Sequence, residues 1–291
     1  MQTGLVLEGG AMRGMYTAGV LDVFMEEGIR LDATVGVSAG AIFGVNYFSG
    51  QQGRVIRYSR RFNRDPRYMG VLPLLFTGNL FSAGYAYGTV PRKLDPFDDA
   101  AFIRDGRPFW AVVTDVDTGK PCYFPVDSVF ARMDLLRASA SMPFVSRPVE
   151  LEGRKYLDGG ISDPIPWEFM RGQGYDRLVV VLTREKGFAR DPLPGWLIRA
   201  RYGHRPALAA RMAAQHADYD ACLQRLEDAA DRGEAFLIRP SASITIHRTE
   251  TDPEKLQGVY DLGVRDARAQ LAALRRFLNG GEKEEADVGT I

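Results

Sequence analysis

At 291 residues, with 45% apolar side chains, the chain is long enough to bury a large core within a single α/β unit. Its 37 cationic and 37 anionic side chains leave no formal net charge, so no nucleic-acid partner is expected. Cys122 and Cys222 stand alone with no CxxC spacing, which argues against a disulfide framework or a zinc site.

The first ten residues carry no basic stretch and no long apolar run, so no signal peptide is read. No window approaches the roughly 18 apolar residues that a bilayer span needs. A cytoplasmic protein that touches membranes only at their surface is the expectation. Residues 5–8 suit a buried strand running into the Gly9-Gly10 turn. From Met15 to Glu27, Val20, Val23 and Phe24 recur at helical spacing, and Gly28 stops the element. Ala33 to Val37 reads as a second strand that runs into Ser38 and an Ala/Gly-rich helix through about Tyr47. Further strands are predicted at 110–114, 120–124 and 177–183, with a hairpin at Glu152-Gly153 joining 147–151 to 154–157. Helical patterns cover about 206–231 and 253–278, with a late strand at Phe236–Ile238 between them. The acidic, glycine-containing tail 280–291 is expected to be disordered. Alternating strands and helices predict an α/β fold with a mainly parallel sheet and functional loops at the strands' carboxyl ends. No linker divides residues 1–279, which are read as one domain with core motifs over 4–182 and a helical part over 185–279.

Three constellations carry chemistry. Gly36-Val37-Ser38-Ala39-Gly40 matches G-x-S-x-G between a strand and a helix, the setting of a nucleophile elbow. A strained turn there holds the Ser38 hydroxyl outward, and the helix that follows points its positive end at the oxygen. Gly9-Gly10-Ala11-Met12-Arg13-Gly14 follows the first strand, and successive glycines let main-chain N–H groups converge as an oxyanion hole requires. The spacing is not G-x-G-x-x-G, so a dinucleotide loop is disfavoured. Asp158-Gly159-Gly160 follows the hairpin; taken alone it is an ordinary turn. A conventional triad needs a histidine, and only His204, His216 and His247 exist. Of these His247 has the chain order of an α/β-hydrolase triad, although each reads first as a surface or packing residue. The alternative is a carboxylate that takes the serine proton itself, helped by the helix terminus and the oxyanion hole.

Together these motifs resemble the patatin-like phospholipase family, its bacterial branch in particular: a glycine-rich loop, the G-x-S-x-G elbow and D-G-G in the same order. Ala138 to Phe144 resembles the family's Ala/Ser-rich segment ending in proline. One departure is Glu8, which stands before only two glycines where the family commonly has three. The resemblance implies a three-layer α/β/α fold, a catalytic Ser38–Asp158 dyad without histidine, and hydrolysis of fatty-acyl esters of lipids. No metal or cofactor is expected. A generic esterase or thioesterase with a histidine triad, and a catalytically silent lipid-binding protein, remain as other readings. Two stretches, Val71–Phe81 and Leu193–Tyr202, could meet lipid, although burial against the sheet is the leading expectation for both.

Overall fold

The computed structural model describes residues 2–189 and 191–280, so the predicted tail, past Gly280, lies outside the described residues. The strands are β1 (Thr3–Leu7), β2 (Ala33–Val37), β3 (Phe109–Asp115), β4 (Pro121–Pro125), β5 (Val149–Leu151), β6 (Arg154–Asp158), β7 (Arg177–Val181) and β8 (Ala235–Ile238). The helices are α1 (Met15–Glu26), α2 (Ala39–Phe48), α3 (Arg54–Phe62), α4 (Val71–Thr77) and α5 (Asp99–Asp105). After them come α6 (Met133–Ser139), α7 (Trp167–Gly172), α8 (Gly195–Tyr202), α9 (Pro206–Asp231) and α10 (Pro253–Leu278).

One sheet runs β5-β6-β3-β2-β1-β7-β8, with β4 also on β3. Every pair from β8 through β3 is parallel, and β4, β5 and β6 are antiparallel. Leu5, Leu7, Val179 and Val181 face one core, and Val6, Leu178 and Val180 face the other. Burial on both faces is why these strands read as continuous apolar runs rather than alternating ones. Residues of α1, α2, α3 and α10 cover the first face; α7 and α9 cover the second. This is the three-layer α/β/α arrangement.

Local signals explain the element ends. Gly28, at φ +65°, terminates α1, and the Ile29 amide donates back to the Phe24 carbonyl. Asp252 caps α10 by accepting from the Glu254 amide, ahead of Pro253 at the first turn. The strand expected over 177–183 ends at Val181, and no element was expected between residues 54 and 105, where α3, α4, α5 and a π-helical turn over Tyr85–Leu94 now lie.

One feature of the sheet positions everything that follows. Val112 and Val113 both pair with β4, so they offer only one other edge. On that edge β2 pairs with β3 as far as Val37–Val112, and β6 takes over at Asp158–Val113. The two strands run toward each other along one edge of β3, and their carboxyl ends meet.

Candidate active site

Ser38 is the first residue past the end of β2, and Asp158 is the last residue of β6. The abutting ends bring them together: Ser38 Oγ donates to Asp158 Oδ2 at 2.7 Å. Ser38 is buried and adopts φ +54°, ψ −120°, a conformation that costs a non-glycine residue about 1–3 kcal/mol. Its surroundings hold it there. The Ser38 amide donates to Ser139 Oγ at 2.9 Å, and the same Ser139 hydroxyl donates to the Val112 carbonyl at 2.7 Å. The elbow is thereby pinned to β3 through one fully buried hydroxyl. Gly40 cannot be replaced without movement, because a β-carbon there would sit 2.5 Å from the Leu7 carbonyl oxygen.

Asp158 is held with equal economy. Its Oδ1 accepts from the Gly160 amide at 2.8 Å, leaving Oδ2 toward the serine. The Asp158 carbonyl accepts from Thr114 Oγ1 at 2.8 Å, and its amide donates to the Ser141 carbonyl at 3.0 Å. A β-carbon on Gly159 would fall 2.3 Å from the Val112 carbonyl oxygen, so only glycine lets the turn lie this close to β3. Gln215 and Arg211, both on α9, donate to the carbonyls of Gly160 and Ser162 and clamp the turn from outside.

Gly9 lies against the elbow, the position of its absent β-carbon being 3.2 Å from Ser38 Cβ. Ala11–Gly14 form one turn of 3₁₀-helix, with Ala11 at φ +49°. The Met12 amide donates to the Arg248 carbonyl and the Arg13 amide to the Gly10 carbonyl. The amides of Gly9, Gly10 and Ala11 have no acceptor among the described residues. Arg13 is buried; burial first, then neighbouring Arg184, brings its guanidinium down to about 10 against the pull of Glu8.

Sequence reasoning named Gly9–Gly14, Gly36, Ser38, Gly40 and Asp158–Gly160, and the fold gathers all of them at one point. It missed what supports them. Glu8 is a buried carboxylate at the end of β1 that accepts from the Thr183 amide and hydroxyl and from the Tyr219 hydroxyl at 2.9 Å. A buried charge is tolerated when its lone pairs are filled in this way. The partners lie 175 and 211 residues away, so no local pattern could announce them. Ser139 and Ser141 sit in the Ala138–Phe144 segment quoted from the sequence, which was their only signal.

A cleft opens at Ser38. Residues of α2, α3, α6 and the π-helical turn line it, among them Ala39, Ile42 and Phe43. None of the three histidines borders it. His204 and His247 are exposed, and the His216 ring lies 3.2 Å from the Ala213 carbonyl of its own helix. Among the described residues no three His, Cys, Asp or Glu side chains converge as metal ligands. The expected burial of Val71–Phe76 does not occur: Val71, Leu72, Leu75 and Phe76 are between 50% and 83% exposed. α4 lies between the two ends of the Met69–Phe81 bridge, with Pro73 buried and these four side chains turned outward. Leu193–Tyr202 is divided, with Ile198 and Tyr202 buried and Trp196 exposed.

A family model described as patatin-like phospholipase matches residues 5–171, and one described as a domain of unknown function (DUF6363) matches residues 205–279. The chain is 35% identical over 184 residues to protein YjjU of Escherichia coli K12, covering 62% of this chain and 51% of that one. It is 28% identical over 204 residues to the NTE family protein Rv1063c of Mycobacterium tuberculosis H37Rv, covering 67% of this chain and 54% of that one. Lysophospholipase nte1 of Aspergillus fumigatus is 28% identical over 196 residues, covering 66% of this chain and 12% of that one. The chain thus spans about half the length of the first of these relatives. Among solved structures, VipD from Legionella pneumophila superposes with a TM-score of 0.47 at 13% identity, over 94% of this chain and 67% of that one. Every motif residue from Gly9 to Gly160 falls inside the stretch that the first family model covers, and the chain belongs to the patatin-like phospholipase family.

Proposed function

We propose that the protein is a lipid acyl-ester hydrolase working through a Ser38–Asp158 dyad and an acyl-enzyme. The observation that carries the reading is the 2.7 Å contact between Ser38 Oγ and Asp158 Oδ2 at the mouth of the cleft. Ser38 Oγ attacks the ester carbonyl as Asp158 takes its proton. The carbonyl oxygen becomes an oxyanion within reach of the Gly9, Gly10 and Ala11 amides, beside the positive end of α2. Collapse expels the alcohol, to which Asp158 returns the proton. Water, deprotonated by Asp158, then releases the acid from Ser38. A carboxylate is a weak base for serine, and preorganised oxyanion donors, each worth roughly 10²–10³ in rate, offset that weakness.

The relatives named lysophospholipases favour lipid esters as the substrate class. Exposed Val71, Leu72, Leu75 and Phe76 favour contact with a lipid surface. The α4 projection stands at the rim of the cleft, since Phe81 at its base belongs to the cleft wall and the Leu80 amide donates to the Val145 carbonyl. No helix among the described residues is long and apolar enough to cross a membrane.

Incubation with a fluorophosphonate should give a covalent adduct that peptide mass spectrometry maps to Ser38, and Ser38→Ala should give none. An adduct on another residue, or no adduct in folded wild-type protein, would overturn the assignment and favour a silent lipid-binding protein.

A further inference from the structure

Most of the cleft wall is hydrocarbon, from Ala39, Ile42 and Phe43 to Phe81, Val90 and Met142. Set into it are three tyrosines, Tyr58 on α3, Tyr68, and Tyr87 in the π-helical turn. Tyr58 and Tyr68 are only 6% and 8% exposed. None of the three hydroxyls forms a hydrogen bond with another described residue. Nor are they sealed in the core: the Tyr16 hydroxyl is shut away from any open surface, whereas these three oxygens keep some, and the cleft is what they line. Burial raises each phenol above its ordinary pKa, and each of Tyr58 and Tyr68 senses Tyr87. All three are therefore neutral donors and acceptors grouped in one place.

Arg54 completes the group. Its guanidinium lies over the rings of Tyr58 and Phe97 at 5.2 and 5.3 Å, and donates to Asn46 Oδ1 at 2.9 Å and to the Asp95 carbonyl at 2.6 Å. The Asp95 carboxylate lies 3.1 Å from Arg54 Nε and is also gripped by Arg57 at 2.8 and 2.9 Å. Asn46 is eight residues past Ser38 along α2, which at 1.5 Å per residue puts Arg54 ~12 Å down the cleft. Tyr87, in the π-helical turn, lines the same cleft as Ser38. The polar group thus runs beside the path of a chain attached at Ser38.

Phenylalanine would fill the same space in this wall, so the three hydroxyls add hydrogen-bonding capacity that packing does not require. A plain methylene chain offers the three phenols nothing. Resting on the reading of Ser38 as an acyl-ester nucleophile, we propose that the cleft selects acyl chains bearing a neutral oxygen function, a hydroxyl or oxo group, bound by Tyr58, Tyr68 and Tyr87. π-Helical turns such as the one carrying Tyr87 occur disproportionately at functional sites, in keeping with this role.

The test compares p-nitrophenyl esters of one chain length, unsubstituted or hydroxylated at mid-chain or at the end, on the full chain. Calorimetric binding of the matching free fatty acids runs beside it and needs no turnover. At least one hydroxylated chain should exceed the plain one by about tenfold in kcat/KM and in affinity, the measure of a net hydrogen bond. Tyr58→Phe, Tyr68→Phe and Tyr87→Phe, combined, should bring both ratios toward unity in a protein that still unfolds cooperatively at or above the wild-type midpoint. Plain chains bound as well as every hydroxylated chain would overturn the proposal, and so would a preference that survives the triple variant. Selective binding without any Ser38-dependent turnover would sustain the subsite and sink the hydrolase reading instead.

Discussion

Seen from Ser38, the cleft has two unlike walls. The wall carrying the dyad is made of strand ends, glycines and main-chain hydrogen bonds: β2 and β6 meeting on β3, Ser139 bridging Ser38 to Val112, Gly160 holding Asp158. The facing wall, within residues 54–105, is built of short helices, a π-helical turn, arginines stacked on aromatic rings and an exposed apolar projection. On the proposed reading, the reaction and the choice of substrate are housed in different segments. One should therefore be damaged without the other.

The largest effects belong to the strand-end wall. Asp158→Asn keeps the shape but cannot take a proton, and kcat/KM for a short p-nitrophenyl ester should fall by roughly 10²–10⁴. His204→Gln, His216→Gln and His247→Gln should each stay within about tenfold of wild type. A stable histidine variant with a hundredfold loss would move the base out of this wall and revive the triad. Next comes Ser139→Ala, which leaves the buried Ser38 amide and Val112 carbonyl without a partner. Stability should drop by about 1–3 kcal/mol in denaturant unfolding, and kcat should fall with KM little changed. Unchanged kcat would mean that the elbow keeps its strain without the pin. The smallest effect belongs to the far wall. Leu75→Ser with Phe76→Ser should leave turnover of the soluble ester alone and lower sedimentation with phospholipid vesicles several-fold, about 1 kcal/mol. Equal sedimentation would show that α4 is not the lipid contact.

The same contrast decides what could be read in advance. The boundaries of β2, α9 and α10 and the stop at Gly28 were legible, because buried parallel strands and long amphipathic helices repeat their signals over many residues. The juxtaposition of Ser38 and Asp158 was legible because both lie in short glycine-flanked motifs that restrict the residue types. Residues 54–105 were not. α3 buries Arg54, and that burial makes sense only once Asp95 and Asn46 are known to meet it. The apolar run at 71–76 looked like core and is surface, since composition does not tell a face that meets lipid from one that meets protein. Nor does any local pattern show that α9 reaches back through Gln215 and Arg211 to the aspartate turn, or through Tyr219 to Glu8.

The meeting of β2 and β6 on β3 also sets an order of events in the making of the molecule. Ser38 and Asp158 are 120 residues apart, and nothing local brings them together. Contacts of that span must first overcome the entropy of closing a long loop, whereas helices form in about a microsecond. In refolding, the far-ultraviolet helical signal should recover well ahead of any reactivity at Ser38. On the ribosome the lag is longer still, because synthesis proceeds at about 5–20 residues per second. Ser38 emerges early and waits, without Asp158 beside it, until β6 has been made and paired. The pairing on which the proposed reaction depends is in this way among the last things the molecule acquires.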